Sequence, residues 1–430
     1  MWTIAFVTAA FEVAGCGSED QPPPQSSGVE TRSTTSLTTV ETTASGGGGG
    51  QDASCEDPTL LPEVTDAVAW ENALANYSLE GPVLWCLGEN DHGVAQSSRV
   101  YLHLLRKLIV EHGVRHIGWE GSGANIDHFD RYLQTGDEAE IDQAFAEIPG
   151  SIGVNTERRE WLKSLRALGE AEGIRLHAWG FDVAGQLPPN VDSLREFLDD
   201  AQFVSAEREA CLDIAPEDPE VAGGACDRLA AELEAAQSAL ESMLGSDRVW
   251  RGLRDARNLA VGHRFLWFRN VVGDLSAGYA VREPAMLQNI IRIRERIGVE
   301  EPLVLTAHNG HCGRGRRQGR DPETLEPLFS FGTGLAERLG NSYQPIGQFY
   351  LGGTRINPRN GTPDPYPDTS GGLEAAIGEL ASTPALVVPT SSCVMDFQSS
   401  YRNAVNERIT PAESFDHIVW LESVTPVTLE

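Results

Sequence analysis

The sequence predicts an α/β fold: a mostly parallel sheet flanked by helices, with an inserted helical cap. Three observations carry this. First, two short apolar runs, Val83-Leu84-Trp85-Cys86-Leu87 and Pro302-Leu303-Val304-Leu305, read as buried strands. Second, the first run is followed by a helical pattern and another apolar run, a βαβ order that implies parallel strands. Third, residues 191–300 are long amphipathic helices rich in Ala, Glu, Leu and Arg, which reads as a cap inserted into the sheet domain.

The elements follow in order. The domain begins near Cys55 and continues to the C-terminus, residues 55–430. A helix is predicted over Ala95 to His112, where Val100, Leu104, Leu105, Leu108 and Ile109 recur at helical spacing and Gly113 supplies the stop. Arg115 to Trp119 reads as the second strand, ending at Glu120. Residues 124–172 are helical with breaks at Gly136 and Pro149. A third strand, Ile174 to Trp179, ends in Gly180-Phe181-Asp182. The sheet resumes at 302–306, at Gln344 to Leu351 and at Ala385 to Pro389, and finishes over Phe415 to Leu421. There is no internal repeat and no transmembrane span after residue 16.

The strand ends carry the chemistry. Leu87-Gly88-Glu89-Asn90-Asp91-His92-Gly93 sets a carboxylate and an imidazole on the loop after the first strand. Thr306-Ala307-His308-Asn309-Gly310-His311 delivers two histidines after a later one. In an open α/β sheet the carboxyl edge is where ligands bind. Three neighbouring strands would bring Glu89, His92, Glu120, His308 and His311 within roughly 10 Å, because strands lie about 4.8 Å apart. A histidine oriented by a carboxylate can take a proton from water, and a second imidazole or an arginine can hold an oxyanion. Without a Gly-x-Ser-x-Gly elbow, a serine nucleophile is unsupported. The same residues could in principle ligate zinc or iron, although the His-Glu-x-x-His helix signature is missing. His103, His112, His116, His128 and His263 read as structural or surface residues.

Composition narrows the partners. At 430 residues the chain has room for one large domain or two smaller ones, and it is 40% hydrophobic and 22% charged. Its net charge of −30 argues against nucleic acid and against surface binding to anionic membranes. Residues 1–16 read as a lipoprotein-type signal, with Val13-Ala14-Gly15-Cys16 as the lipobox and Cys16 as the lipidation site. A basic n-region is missing and Glu12 interrupts the segment, so the true start could lie upstream. Residues 17–54, Ser/Thr/Gly-rich and ending in Gly46 to Gly50, read as a flexible tether. The expected location is therefore the cell envelope, through an N-terminal lipid anchor. Six cysteines then remain, an even number that suits an oxidising compartment. Cys211 and Cys226 are the favoured local pair, and a nucleophilic Cys312 is less plausible than a bridged one.

Taken together, these motifs resemble the erythromycin esterase family, from roughly Leu84 to the C-terminus. The anchors are Leu87 to Gly93, Trp119-Glu120, Gly180-Phe181-Asp182, Arg282-Glu283-Pro284-Ala285-Met286, Ala307 to His311 and Phe415-Asp416-His417-Ile418. The resemblance implies a hydrolase that opens an ester, such as a macrolide lactone, with activated water and without a cofactor or metal. It implies His92 as general base, Glu89 as its carboxylate partner, Glu120 as a further acid, and His308 and His311 against the ester. Asp182, Arg282 and Asn309 are expected to bind substrate, and the cap to shape the pocket. One departure stands out. Some members carry arginine nine residues after the base histidine, where this chain has Tyr101. Arg99, two residues earlier, points roughly 200° away on a helix. The Gly-x-x-His loop also resembles haem-binding surface lipoproteins and membrane-tethered metalloproteases, which leaves metal or haem binding as the competing expectation.

Overall fold

Parallel strands dominate the sheet. In chain order the strands are β1 (Thr59–Leu60), β2 (Leu84–Glu89), β3 (His116–Ser122), β4 (His177–Asp182), β5 (Leu303–His308), β6 (Tyr343–Ile356), β7 (Pro363–Pro365), β8 (Ala385–Val387), β9 (Phe397–Tyr401), β10 (Val405–Ile409) and β11 (His417–Val424). The sheet order is β1-β8-β11-β6-β2-β5-β3-β4. Its central run, β11 to β4, is parallel throughout. β1 and β8 close one edge in antiparallel fashion, β7 pairs with the end of β6, and β9 and β10 form a separate hairpin. This computed structural model describes residues 59–430 except 62–65, 76, 78, 80–82, 149–152, 184–186, 215, 217, 316–328, 358–360, 366–376, 379–383, 389–396, 402–404 and 410. The expected signal and tether, residues 1–54, and Cys16 with them, lie outside the described residues, as do Cys55 and Cys393.

The body helices are α1 (Ala67–Ala75), α2 (Ala95–His112), α3 (Gly123–Thr135), α4 (Ala139–Ala146) and α5 (Thr156–Glu172). α2 has the expected bounds and ends at Gly113, which is left-handed at φ 66° and returns its N–H to the Leu108 carbonyl. α3 ends the same way at Gly136, and α5 starts where the Asn155 side chain accepts from the Arg158 amide. On β2, Trp85 and Leu87 join the apolar layer under α2 and α5, while Leu84 and Cys86 face the other side. That two-sided burial is why β2 reads as a continuous apolar run.

The cap is α6 (Leu187–Asp200), α7 (Arg208–Cys211), α8 (Pro219–Ala235), α9 (Gln237–Leu244), α10 (Ser246–Leu266) with a π-helical turn Trp267–Val272, and α11 (Leu275–Ile297). α6 to α10 bury an apolar core of their own, built on Leu194, Phe197, Leu229, Leu233, Val249 and Leu259. The Cys211–Cys226 disulfide ties α7 to α8, as expected. α11 instead packs Met286, Leu287, Ile290 and Ile293 against the sheet. Between cap and body, Arg254 makes two 2.9 Å bonds to Asp127 of α3 and one of 2.8 Å to Asp255. α12 (Asn309–Cys312), α13 (Phe331–Leu339), which runs into a 3-10 turn at Gly340–Ser342, and α14 (Pro411–Ser414) follow the cap. Cys312 is bonded to Cys86 across 226 residues, so it is a bridge and not a nucleophile. Among the described residues no helix is long and apolar enough to cross a membrane.

Two details differ from the sequence reading. β5 lies between β2 and β3, so the first βαβ unit straddles a strand that arrives two hundred residues later in the chain. Several strands also run further than their apolar core: β3 to Ser122, β5 to His308, β6 to Ile356 and β11 to Val424. Backbone pairing continues past the point where side chains turn polar.

Candidate active site

The turn after β2 is built to hold His92. Gly88, in β2 just before the turn, is required, because a Cβ would stand 2.3 Å from Oδ1 of Asn309. Asp91 Oδ1 accepts from the Gly93 amide at 2.8 Å, and its other oxygen pairs with Arg355 of β6. The Gly93 carbonyl accepts from the amides of Ile356 and Val427 at 3.0 and 3.1 Å. So pinned, His92 sets Nδ1 2.5 Å from Oε1 of Glu89. Burial alone would lower the His92 pKa. Glu89 beside it, with Glu120 and Asp91 beyond, raises it to about 9.

The strand order gathers the rest. In register, Glu89 stands beside His308 and Trp119 beside Thr306. The His92 and His308 rings meet edge to face with centroids 5.3 Å apart. Glu120 sits on the far side: Oε2 accepts from the His308 amide at 2.8 Å and lies 4.0 Å from His92 Nε2. His308 Nδ1 accepts from the Gly310 amide at 3.4 Å, which leaves Nε2 as the protonated ring nitrogen. The five expected residues therefore converge.

They do not stand in one layer. His311 is 1% exposed, and both of its ring nitrogens face carboxylates, Nε2 to Glu120 at 3.2 Å and Nδ1 to Glu283 at 2.6 Å. It backs Glu120 and does not line the neighbouring pocket, whereas the sequence implied that it contacts an ester. Burial works against charge on His311, but Glu283 and Glu120 raise its pKa. Burial likewise works against an ionised Glu120, yet His311, His92 and Arg282 hold its carboxyl well below the usual range.

Three expected substrate contacts are spent on the protein. Arg282 is buried, bonds Asp182 at 2.9 and 2.7 Å and reaches Glu120 at 3.0 Å. Asp182 also accepts from the Val183 amide at 2.6 Å. Asn309 donates to the Gln348 carbonyl at 2.6 Å and accepts from its amide at 3.1 Å, stitching α12 to β6. All three position other groups. Glu283 was not singled out from the sequence, although it adjoins Arg282. Its Oε2 accepts from the Phe331 amide at 3.0 Å, and it reaches the site through His311.

A pocket opens beside Glu89, His92 and Glu120, on the α2 and α5 side of the sheet. Its walls include Tyr101, Trp119, Trp161, Arg158 and Val427. Trp119 and Trp161 meet edge to face at 4.4 Å. Among the described residues no cap residue lines it, contrary to the expected role of the cap, which acts from behind through Arg282 and Glu283. Tyr101 faces inward and donates to the Ala307 carbonyl at 3.3 Å, and Arg99 is exposed on the outer face of α2. Burial, then Glu89, raises the Tyr101 pKa well above 10, so the phenol stays neutral. Among the described residues no group of three or more His, Cys, Asp and Glu is arranged to hold a metal ion.

The model of the erythromycin esterase family matches residues 109–424. The chain belongs to the erythromycin esterase family. Among solved structures, a protein from Bacillus cereus is 18% identical with a TM-score of 0.70, the alignment covering 87% of this chain and 97% of that one. The erythromycin esterase EreC, a mutant in its open conformation, is 17% identical with a TM-score of 0.70, covering 86% and 98%. A succinoglycan biosynthesis protein is 15% identical with a TM-score of 0.65, covering 87% and 96%. At these identities the likeness shows the fold. No curated protein matches the chain. The family match makes this erythromycin esterase relative a member of a hydrolase family. The match includes Glu120, Asp182, Arg282, Glu283, His308 and His311 but begins after Glu89 and His92, whose place in the site rests on their geometry.

Proposed function

We propose that this protein hydrolyses a small-molecule carboxylic ester, a macrolide lactone among the candidates, with water activated by His92. The observation that carries it is the Glu89–His92–Glu120 line: Nδ1 of His92 is held by Glu89, while Nε2 faces Glu120 across 4.0 Å. That gap is too long for a direct hydrogen bond and lets one water lie about 2.8 Å from each atom. In its neutral form His92 takes a proton from that water at Nε2. The hydroxide oxygen adds to the ester carbonyl carbon, and the carbonyl electron pair moves onto oxygen. His308 is fully buried beside His92 and stands outside the pocket walls, so it supports the His92 ring and is not assigned to the oxyanion. Collapse breaks the bond to the alkoxide, which takes the proton back from His92, leaving acid and alcohol. Glu120 orients the water, and Arg282, His311 and Glu283 hold Glu120.

The test is mass-detected hydrolysis of a macrolide and a panel of simple esters, with and without EDTA. Addition of water to any of them, lost in His92→Ala, is the expected result. Undiminished turnover by that variant would sink the mechanism, and loss of turnover with chelator would favour a metal-dependent reaction.

The lipobox at Cys16, the tether at 17–54 and two bridged cysteine pairs support an envelope location through a lipid anchor. Palmitate labelling and membrane fractionation of the full chain beside Cys16→Ala test that placement.

A further inference from the structure

The charges around the pocket are unevenly compensated. Glu89 is matched by His92, which is protonated at neutral pH, and Glu120 by Arg282 and His311. Arg158 lines the same pocket from α5. Its backbone amide is used by Asn155 at 2.7 Å, but among the described residues no carboxylate lies within ion-pair reach of its guanidinium. The contrast with its neighbour is direct: Arg159 points away and is held by Asp142 and Glu430 at 2.8 and 2.7 Å. The deeply buried arginines, Arg254, Arg282 and Arg355, are likewise each matched by aspartate or glutamate. In a chain of net charge −30 an uncompensated, half-buried guanidinium is not needed for solubility. The Arg158 charge also reaches the pocket wall, where it opposes the rise that burial, first, and then Glu89 impose on Tyr101.

We propose that Arg158 is a specificity-determining residue and that the substrate is an ester bearing a carboxylate, which Arg158 engages while the ester carbonyl lies at His92. This rests on the ester-hydrolase reading of the pocket and names its substrate class. A guanidinium offers a planar pair of N–H donors that fits a carboxylate, and such a charged pair shielded by Trp119 and Trp161 is stronger than in open water. A substrate carrying an ammonium group at that place would be repelled.

The experiment separates charge recognition from turnover. Glutaramate and glutaramide are isosteres that differ by one negative charge, and each has an amide where the ester would be, so neither depends on catalysis. Their dissociation constants are measured by ligand-observed NMR on the full-length protein. The expected result is that glutaramate binds about tenfold or more tightly, that the ratio shrinks with added salt, and that it falls to about one in Arg158→Gln. Arg158→Lys, which keeps the charge, should retain part of the preference. A ratio near one in the wild type, or a ratio that Arg158→Gln leaves in place, overturns the proposal. Turnover of monomethyl against dimethyl glutarate is read separately. Hydrolysis of both at equal kcat/KM would leave the esterase reading standing and remove the carboxylate preference, whereas no hydrolysis with a full binding preference would do the reverse.

Discussion

Nδ1 of His92 lies 2.5 Å from Oε1 of Glu89, three residues earlier on the same turn. The pair sets both the direction and the basicity of the imidazole. Glu89 takes up one nitrogen, so the other faces Glu120, and Glu89, Glu120 and Asp91 together outweigh the burial that would otherwise keep His92 neutral.

A pH profile follows. With His92 raised to about 9, only about one molecule in a hundred carries the neutral base at pH 7. The catalytic form therefore grows as pH rises, and kcat/KM should climb about tenfold per pH unit before levelling off near pH 9. In Glu89→Gln the largest attraction is gone and burial remains, with only Glu120 and Asp91 opposing it, so the limb should move to lower pH by more than a unit, and the plateau should drop because the ring is no longer aligned. Stopped-flow kcat/KM between pH 5 and 10 checks this. A limb that stays in place in the variant would show that Glu89 does not set the His92 titration.

Glu283 should act through His311. Removing its charge in Glu283→Gln lowers the raised pKa of His311 and weakens the grip on Glu120. The expected outcome is a loss of about tenfold in kcat with KM little changed, since only alignment is lost. NMR titration of the His311 ring should show the downward shift. A His311 titration in the variant unchanged from the wild type would detach Glu283 from the site.

The joint between cap and body depends on a buried ion pair. Arg254 is 3% exposed and bonds Asp127 and Asp255. Arg254→Met leaves buried Asp255 without its cation and Asp127 with Arg251 alone, which should cost about 3–5 kcal/mol. Urea denaturation followed by circular dichroism measures it. Asp127→Asn should cost less, because the Asp255 carboxylate still balances the guanidinium. Equal losses would mean that the two carboxylates do not share the charge.

The Cys86–Cys312 bridge closes a long loop and ties β2 to the end of α12. In the double variant Cys86→Ala, Cys312→Ala the denatured chain regains that freedom, and stability should fall by about 3–5 kcal/mol. His311 precedes Cys312, so kcat should fall as well, measured on protein shown to be folded by its near-UV spectrum. An unchanged denaturation midpoint would make the bridge dispensable.

Segments whose outcome is local were legible from their residues alone. Val83 to Leu87 had to be a buried strand because nothing in it is polar, and the chain had to turn by Gly93, although pairing carries β2 on to Glu89. Glu89, His92, Glu120 and His308 were thus placed at strand ends before any contact was known, and the 95–112 helix was legible down to its Gly113 stop. Direction and order came from long-range packing. β5 enters between β2 and β3 because strand pairing joins segments two hundred residues apart, and no periodicity encodes a neighbour. His311 turns back toward Glu283 while His308 stays beside His92, although both belong to one short motif. Asp182, Arg282 and Asn309 became supports, and Arg158 became a pocket wall, for the same reason. A side chain's partners are set by which distant backbone packs against it, and its own neighbours in sequence do not carry that information.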